Sequence, residues 1–398
     1  PTSTPLAALA SRPAEPVARP RGPGQIAPVA YTPPDFGSAP LAGAPDATFA
    51  PAPADGVLPD TYFPTTNLPT FVKTGGRWRL PREPRMDGAI VRDDRGELWV
   101  REGRRVRAGQ PVAVGHAEDG SEGLYVHVRA FRAGPGADEF QFMSSDVSRE
   151  KPIDYQVMAR LLVDERERGG YPIWVCGPAL VHSRARRDMT WFIREGFVGA
   201  MLAGNAVAAH DIEAAIYGTT LGMSERGVPT QGGHALHVRA INQVRRAGSI
   251  AAAVEQGLIR EGIMHALVEC GVPFVLTGSI RDDGPLPEVV TDMLEAQDAM
   301  RAHTVKATMA VLVATALHAI ATGNMLPAFI MDSDTELREL PTICVDSSEF
   351  VVSKLKDRGT HQAFGVVTNA QDFMHILRLF VERELDARRA AAPGGTGR

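Results

Sequence analysis

From about residue 151 onward the sequence alternates short, uniformly apolar runs with longer stretches of helical period. The apolar runs are 173–176, 200–202, 274–276, 310–313, 342–345 and 364–367. The helical stretches are 155–168, 206–217, 238–246, 250–256, 258–269, 288–301, 350–357 and 371–387. An apolar run that does not alternate with polar residues belongs to a strand covered on both faces. Strands separated by helices pair in parallel. This part of the chain therefore reads as α/β, a parallel Rossmann-like sheet with helices on both faces. Such sheets bind ligands at the carboxyl ends of their strands.

Residues 58–150 are patterned differently. Apolar runs at 89–91, 98–100, 111–114 and 124–128 are separated by turn signals such as Asp94-Arg95-Gly96 and Ala108-Gly109. That is the pattern of a small antiparallel β domain. Ahead of it, 13 of the 30 prolines fall in the first 55 residues. Residues 1–57 carry few large apolar side chains and are expected to form a flexible tail, unable to offset its ordering entropy. Deleting residues 1–55 is accordingly expected to leave turnover intact. Residues 388–398 have the same character. The expected layout is a tail at 1–57, a β-rich domain at 58–150, a Rossmann-like domain at 151–387 and a second tail at 388–398.

Charge and cysteine usage exclude several classes. The net charge of −5, from 42 basic and 47 acidic residues, gives no electrostatic footprint for nucleic acid. The best membrane candidate, 309–321, is about 13 residues long and contains His318, so it reads as buried core. Cys176, Cys270 and Cys344 are far apart and odd in number. Each is expected to be a buried, reduced thiol rather than part of a disulfide framework or a zinc site. With no charged-then-apolar leader, a cytoplasmic location is expected. The expected partners are a small-molecule amino-acid substrate and further copies of the chain, without nucleic acid or membrane.

The residues after the apolar runs are small and polar: Gly177, Ala203-Gly204-Asn205, Thr277-Gly278-Ser279, Thr315, Asp346-Ser347-Ser348 and Thr368-Asn369-Ala370. They suit a cofactor with hydroxyls and phosphates lying across the sheet edge, because glycine admits the backbone and helix N-termini attract anions. Helix capping is the plainer alternative at each single position. Asp346 is the type of acid that pairs with ribose hydroxyls. The G-x-G-x-x-G fingerprint is absent, so this is not a standard dinucleotide turn.

Four polar clusters stand out. In the first, Gly204 to Glu213, His210 and Glu213 share a helix face, and a satisfied buried network is the alternative reading. The second runs from Gly232 to Asn242. His234 and His237 there supply two metal ligands without a third of diagnostic spacing, so no metal is expected. An acid-base or substrate-carboxylate role fits that cluster better, with structural histidine close behind. The third is the loop Gly278 to Pro287. Arg281 could hold a carboxylate bidentately, and Asp282 and Asp283 could hold an ammonium group; a solvated loop tip is the alternative. The fourth, Lys354 to Thr360, is a charge run suited to an exposed helix end, or to chemistry at Lys354 if the amine is desolvated.

Taken together, these clusters resemble the archaeal-type ornithine cyclodeaminase family that carries the LOR/SDH domain. The matching stretches include Leu202-Ala203-Gly204-Asn205 with His210-Asp211-Ile212-Glu213, and Gly232-Gly233-His234 with Arg239-Ala240-Ile241-Asn242. They continue with Arg246 to Val254, Gly278 to Pro287, Leu294 to Met300 and Gly323-Asn324-Met325-Leu326-Pro327. Cys344-Val345-Asp346 with Lys354 and Asp357-Arg358-Gly359-Thr360 completes the large domain. In the small domain, Thr65-Thr66-Asn67-Leu68-Pro69-Thr70 and Phe142 to Pro152 also match. The likeness covers residues 60–385. The stretch Val345 to Asp372 is also similar to the NAD-binding part of deoxyhypusine synthase, which would allow NAD to bind without a glycine fingerprint.

The resemblance implies NAD-dependent conversion of ornithine to proline and ammonia, with the hydride removed and returned within one turnover. It makes Arg281, Arg239 and Asn67 substrate-binding candidates. Asp282, Asp283, His234 and Lys354 become candidates for the acid-base steps. Gly204, Asn205, Gly278, Ser279, Asn324, Asp346, Thr368, Asn369 and Ala370 become cofactor candidates. Three departures qualify it: Gly88 stands where the family has cysteine, Asn369 where it has aspartate, and a segment at 329–340 is inserted near Gly323-Asn324, where it could reshape the pocket. The alternatives are a related NAD enzyme acting on another diamino acid such as lysine, and a non-catalytic nucleotide-binding paralogue.

Overall fold

The computed structural model describes residues 31–131, 154–224, 227–282, 284–331, 337–348, 352 and 363–391. The small domain consists of seven short strands, β1 (Thr48–Pro51), β2 (Thr70–Thr74), β3 (Arg77–Arg79), β4 (Ala89–Arg92), β5 (Leu98–Arg101), β6 (Pro111–Val114) and β7 (Leu124–Val126). They form two antiparallel sheets, ordered β1-β6-β4-β5 and β3-β2-β7. Val72, Leu124 and Val126 from one sheet pack against Ile90, Leu98, Val100 and Ala113 from the other. This is the inward-facing alternation of a two-sheet sandwich.

The large domain contains, in chain order, α1 (Tyr155–Glu167), β8 (Pro172–Cys176), α2 (Ala179–His182), α3 (Arg186–Arg194), β9 (Ala200–Gly204), α4 (Asn205–Tyr217), β10 (Thr219–Thr220) and β11 (Met223–Ser224). Then come α5 (Leu236–Ala247), α6 (Ile250–Glu255), α7 (Ile263–Glu269), β12 (Phe274–Thr277), β13 (Val289–Val290), α8 (Met293–Thr304), β14 (Met309–Val313) and α9 (Ala316–Met325). The hairpin β15 (Phe329–Met331) and β16 (Leu337–Glu339), then β17 (Thr342–Asp346), β18 (Ala363–Val367) and α10 (Ala370–Ala391) complete it.

The main sheet is parallel, in the order β13-β12-β9-β8-β14-β17-β18. The chain starts at the central β8, moves outward through β9, β12 and β13, and crosses back past β8 to β14, β17 and β18. That reversal between β8 and β14 is the topological switch point at which doubly wound sheets bind ligands. Both faces are covered. Trp174 of β8 packs with Phe192, Phe197 and Phe373, while Ile173 and Val175 pack on the other side with Leu202, Leu312, Met325 and Leu340. All six expected runs are strands of this sheet.

Several boundaries differ from the sequence reading. The tail assigned to 1–57 is structured from residue 31 onward. β1 pairs with β6 from Thr48↔Val114 to Pro51↔Pro111, Asp46 accepts the Gly75 and Gly76 N–H groups, and Lys73 Nζ donates to the Ala44 carbonyl at 2.6 Å. An edge strand is held by its backbone, so it needs little apolar content, and proline is tolerated there. The tail assigned to 388–398 likewise starts too early. α10 runs to Ala391, and Arg388 is held by Asp164, Glu167 and Glu384. The helix expected at 288–301 is instead β13 followed by α8, which Asp292 caps by accepting the Leu294 and Glu295 N–H groups at 2.9 Å. Cys270 is exposed, unlike Cys176 and Cys344.

The domains meet at the amino-terminal edge of the parallel sheet. The Ala328 N–H donates to the Asn67 carbonyl at 2.8 Å, and Leu340 N–H to Ala328. Arg301 Nη1 donates to the Met325 carbonyl at 2.6 Å and Nη2 to the Glu83 carbonyl at 2.8 Å. Within the inserted segment at 329–340, β15 and β16 pair antiparallel immediately before β17. Its described residues Phe329 and Leu337 pack with Ala130 and Phe131 of the small-domain side, while residues 332–336 lie outside the described residues. Gly88 has a packing reason as well: a Cβ on it would collide with Val100 Cγ1 and lie 3.1 Å from Thr65 Oγ1.

Candidate active site at the carboxyl edge of the sheet

Four helices begin directly after strands at this edge. α2 follows β8, α4 follows β9, α9 follows β14 and α10 follows β18. The N-cap residues of α4 and α9, Gly204 and Thr315, make no side-chain cap. Their first-turn N–H groups are therefore not occupied by a capping side chain, as an anion-binding helix start requires. Ala314 reverses the chain at the end of β14 with φ 53°, the strained backbone found at functional turns.

Gly204, Asn205, Gly278 and Ser279 lie on one side of the switch point. Asp346, Thr368, Asn369 and Ala370 lie on the other, brought together because β17 and β18 pair and the Thr368 N–H donates to the Asp346 carbonyl at 3.1 Å. From β12 to β17 is four strand spacings, about 19 Å, a span suited to an extended dinucleotide. The Ser348 N–H donates to Asp346 Oδ1 at 2.9 Å and orients the carboxylate over the strand end. In the usual dinucleotide arrangement the acid ends the second strand. Here that position, on β9, is Gly204, and the acid stands on the opposite side of the switch.

Other candidates are placed differently. Asp282 accepts Asn205 Nδ2 at 3.1 Å through Oδ1 and the Ser279 N–H at 2.8 Å through Oδ2. Asn205 Oδ1 in turn accepts the Leu286 N–H at 3.1 Å. Asp282 thus ties the loop to α4. Arg281 is exposed at the top of that loop, next to Ile280, which is fully exposed. Asn369 caps α10, its Oδ1 accepting the Asp372 N–H at 2.9 Å. Arg239 is exposed on α5. Asn324 lies in the last turn of α9, about 12 Å along the helix from its start, and Asn67 lies at the domain junction. The structure therefore does not bring Asn67 or Asn324 to the carboxyl edge. His234 lies in the turn Gly233–Ala235, its side chain outside the described residues. Asp283 and Lys354 also lie outside them.

Two groups missed by the sequence reading belong to this region. His318, in the first turn of α9, has Nε2 2.6 Å from the Thr277 hydroxyl. A Cβ on Gly204 would lie 2.9 Å from its Cε1, so glycine is needed for the histidine to cross. Burial pushes its pKa below the ordinary value. The available signal was a histidine three residues after Thr315 in an otherwise apolar helix. The second is His182, which ends α2. Its ring lies 4.6 Å from that of His210, and His210 lies 6.1 Å from His237. Glu213, fully buried, is 3.3 Å from His210 Nδ1 and also accepts from the Thr219 hydroxyl and the Leu221 and Gly222 N–H groups. Burial raises its pKa, but these bonds outweigh burial and hold the carboxyl below its ordinary value. Among the described residues no cluster of His, Cys, Asp or Glu is arranged to hold a metal, and no helix is long and apolar enough to cross a membrane.

Known proteins are similar to this chain over most of its length. Residues 156–377 match the family described as arginine dihydrolase ArgZ-like, C-terminal, Rossmann fold, and residues 69–157 match its C-terminal first region. Ornithine cyclodeaminase of Methanopyrus kandleri is 44% identical over 329 residues, spanning 81% of this chain and 76% of that protein. The bifunctional arginine dihydrolase/ornithine cyclodeaminase AgrE of Nostoc is 39% identical over 338 residues, spanning 83% of this chain and 46% of that protein. A crystal structure of a conserved LOR/SDH protein from Methanococcus maripaludis S2 superposes with a TM-score of 0.74 at 37% identity, covering 86% of this chain and 98% of that one. AgrE in ternary complex with ornithine and NAD+ superposes with a TM-score of 0.54 at 35% identity, covering 86% of this chain and 47% of that one. The chain belongs to the archaeal-type ornithine cyclodeaminase family.

Proposed function

We propose that the protein converts L-ornithine to L-proline and ammonia with NAD recycled inside each turnover. The observation that carries this reading is the carboxyl edge itself: two helix starts without side-chain caps and one oriented acid, on either side of the topological switch point, in a chain whose relative AgrE is known in complex with ornithine and NAD+. The residues present fit a dinucleotide. Gly204 keeps the edge low under His318, and exposed Leu317, Ile280 and Val367 offer apolar surface to flat rings. When bound, the cofactor accepts a hydride and returns it.

Each residue then has a physical task. Asp346 accepts hydrogen bonds from cofactor hydroxyls. The first-turn N–H groups of α4 and α9, with the backbone at Gly278, Ser279 and Thr368, line the edge for its phosphates. Asp282 holds Asn205 and the 279–286 loop in place. Arg281 meets the substrate carboxylate, and Asp283 and Lys354 serve the acid-base steps. Cytoplasmic location and assembly with further copies of the chain are part of the same reading.

Purified protein with L-ornithine and NAD should yield proline and ammonia without accumulating NADH. Steady NADH accumulation would instead indicate a net dehydrogenase. Turnover of L-lysine but not L-ornithine would move the substrate assignment. Absence of NAD binding by calorimetry would overturn the reading.

A further inference from the structure

We infer that His318 is the cationic partner of the cofactor's phosphates and that NAD binding brings a proton onto its imidazole. The inference rests on the proposed NAD site and adds to it one residue and one proton.

Three observations carry it. First, the ring stands at the strand ends. His318 lies in the first turn of α9, where side chains lean back toward the amino-terminal end of the helix. From there Nε2 reaches the Thr277 hydroxyl at 2.6 Å. The ring passes Gly204, the N-cap of α4, where a Cβ would lie 2.9 Å from Cε1. Gly204 and Thr277 pair in register at the ends of β9 and β12. Second, the two nitrogens differ. Nε2 is engaged by Thr277, whereas Nδ1 makes no hydrogen bond among the described residues and the ring is only partly buried. Nδ1 is thus the nitrogen left to meet a ligand. Third, the edge is short of positive charge. Residues 203–205, 277–279, 314–318, 346–348 and 368–370 contain no Lys or Arg, and His318 is their only side chain able to become cationic. A dinucleotide brings ionised phosphates to that edge.

The chemistry follows from the pair. A hydroxyl both donates and accepts, so Thr277 keeps its bond to Nε2 whether the imidazole is neutral or charged. In the free protein burial holds the His318 pKa below its ordinary value. β8, β9, β12, β14 and the rest of α9 carry no Asp, Glu, Lys, Arg or His. Cys176 on β8 is held neutral by burial, its pKa pushed up to about 12. The charged or titratable described groups on the other neighbouring elements are Arg281 and Asp282 on the loop after β12, and Asp292, Glu295, Asp298, Arg301 and His303 on α8 and its cap. Asp282 is committed to Asn205 and the Ser279 N–H. A phosphate beside Nδ1 favours the charged imidazole and raises its pKa. Between the free and bound values, binding takes up a proton and affinity rises as pH falls. NAD+ and NADH carry the same phosphates, so the contact holds both redox forms through a turnover in which the hydride is returned.

The test is calorimetry of NAD and of ADP-ribose binding to the wild-type protein at about pH 6.5, in MES and in Bis-Tris, buffers of unlike ionisation enthalpy. The expected result is a buffer-dependent heat that reports uptake of a fraction of one proton with either ligand, since both carry the phosphates. The NAD dissociation constant should fall about 10-fold from about pH 8 to about pH 6, within the roughly tenfold per unit that a single proton allows. In His318→Gln the uptake should vanish and the dissociation constant should lose its pH dependence. His318→Asn gives the same reading if the glutamine variant does not fold. NAD binding without proton uptake, or uptake that survives the substitution, would overturn the inference and leave the cofactor site standing. Uptake with NAD but not with ADP-ribose would overturn the phosphate contact. Absence of NAD binding would overturn the cofactor site itself, and the inference with it.

Discussion

The Thr277 hydroxyl and His318 Nε2 lie 2.6 Å apart, joining the end of β12 to the first turn of α9 over Gly204. Burial keeps the His318 imidazole below its ordinary 6.5. The unfolded chain therefore takes up this proton first as pH falls. The stability linked to neutral His318 is full above pH 6.5 and is lost as pH drops toward the lowered folded value. His318→Gln keeps a polar partner for Thr277 and removes the titration. Its melting temperature should fall less steeply below pH 6.5 than that of the wild type. Parallel curves would show that this contact is not linked to protonation.

Asp346 is oriented by the Ser348 N–H at the end of β17. Replacing it with alanine removes hydrogen bonds from a charged acceptor, worth about 1.5–3 kcal/mol. Asp346→Ala should therefore weaken NAD binding by about 10-fold or more, read by calorimetry, with little change in melting temperature because the carboxylate is solvated. An unchanged dissociation constant would remove Asp346 from the cofactor site.

Much of the large domain was legible because a parallel sheet buried on both faces writes itself as uniform apolar runs, as at 173–176 and 310–313. The edge residues were legible for the same reason, since whatever follows such a run stands at the carboxyl edge. What sequence could not show is which partner each polar group finds. Asn369 and Asp282 carry the residue types of a binding site, yet Asn369 caps α10 and Asp282 ties Asn205 to the loop. Long-range placement was equally hidden. Asn324 is eight residues past the start of α9, and only the direction of that helix away from the edge separates it from Asp346. The amphipathic α3 was missed because Arg186, Arg187 and Arg194 mask the buried Met189, Phe192 and Ile193. β1 was missed because its contribution is backbone pairing.

That last point changes the expected effect of truncation. Removing residues 1–55 takes away β1, its four-residue ladder with β6 and the Asp46 bonds to Gly75 and Gly76. It also exposes the β6 edge and the apolar residues beside Ala52. Deletion of 1–55 should lower the melting temperature and make the small domain prone to proteolysis, whereas deletion of 1–30 should change neither. Equal melting temperatures for the two truncations would show that β1 adds no stability.

Glu339 tests the domain junction. It pairs with Phe329 across the β15–β16 hairpin, and strand alternation places its side chain on the same face as Phe329 and Leu337. Those two residues pack with Ala130 and Phe131 of the small-domain side. Glu339 is 4% exposed and neither carboxyl oxygen has a hydrogen-bond partner among the described residues. Burial pushes its pKa up from 4.5 to about 7. The stability associated with the neutral carboxyl is fully present below pH 4.5 and is lost as pH rises through about 7, a total on the order of 3 kcal/mol. Glu339→Gln holds the neutral shape at every pH. In urea unfolding the variant should match the wild type near pH 4.5 and exceed it increasingly up to pH 8 (about one unit past the folded midpoint). A constant difference across that range would mean the carboxyl stays ionised or reaches solvent at the junction.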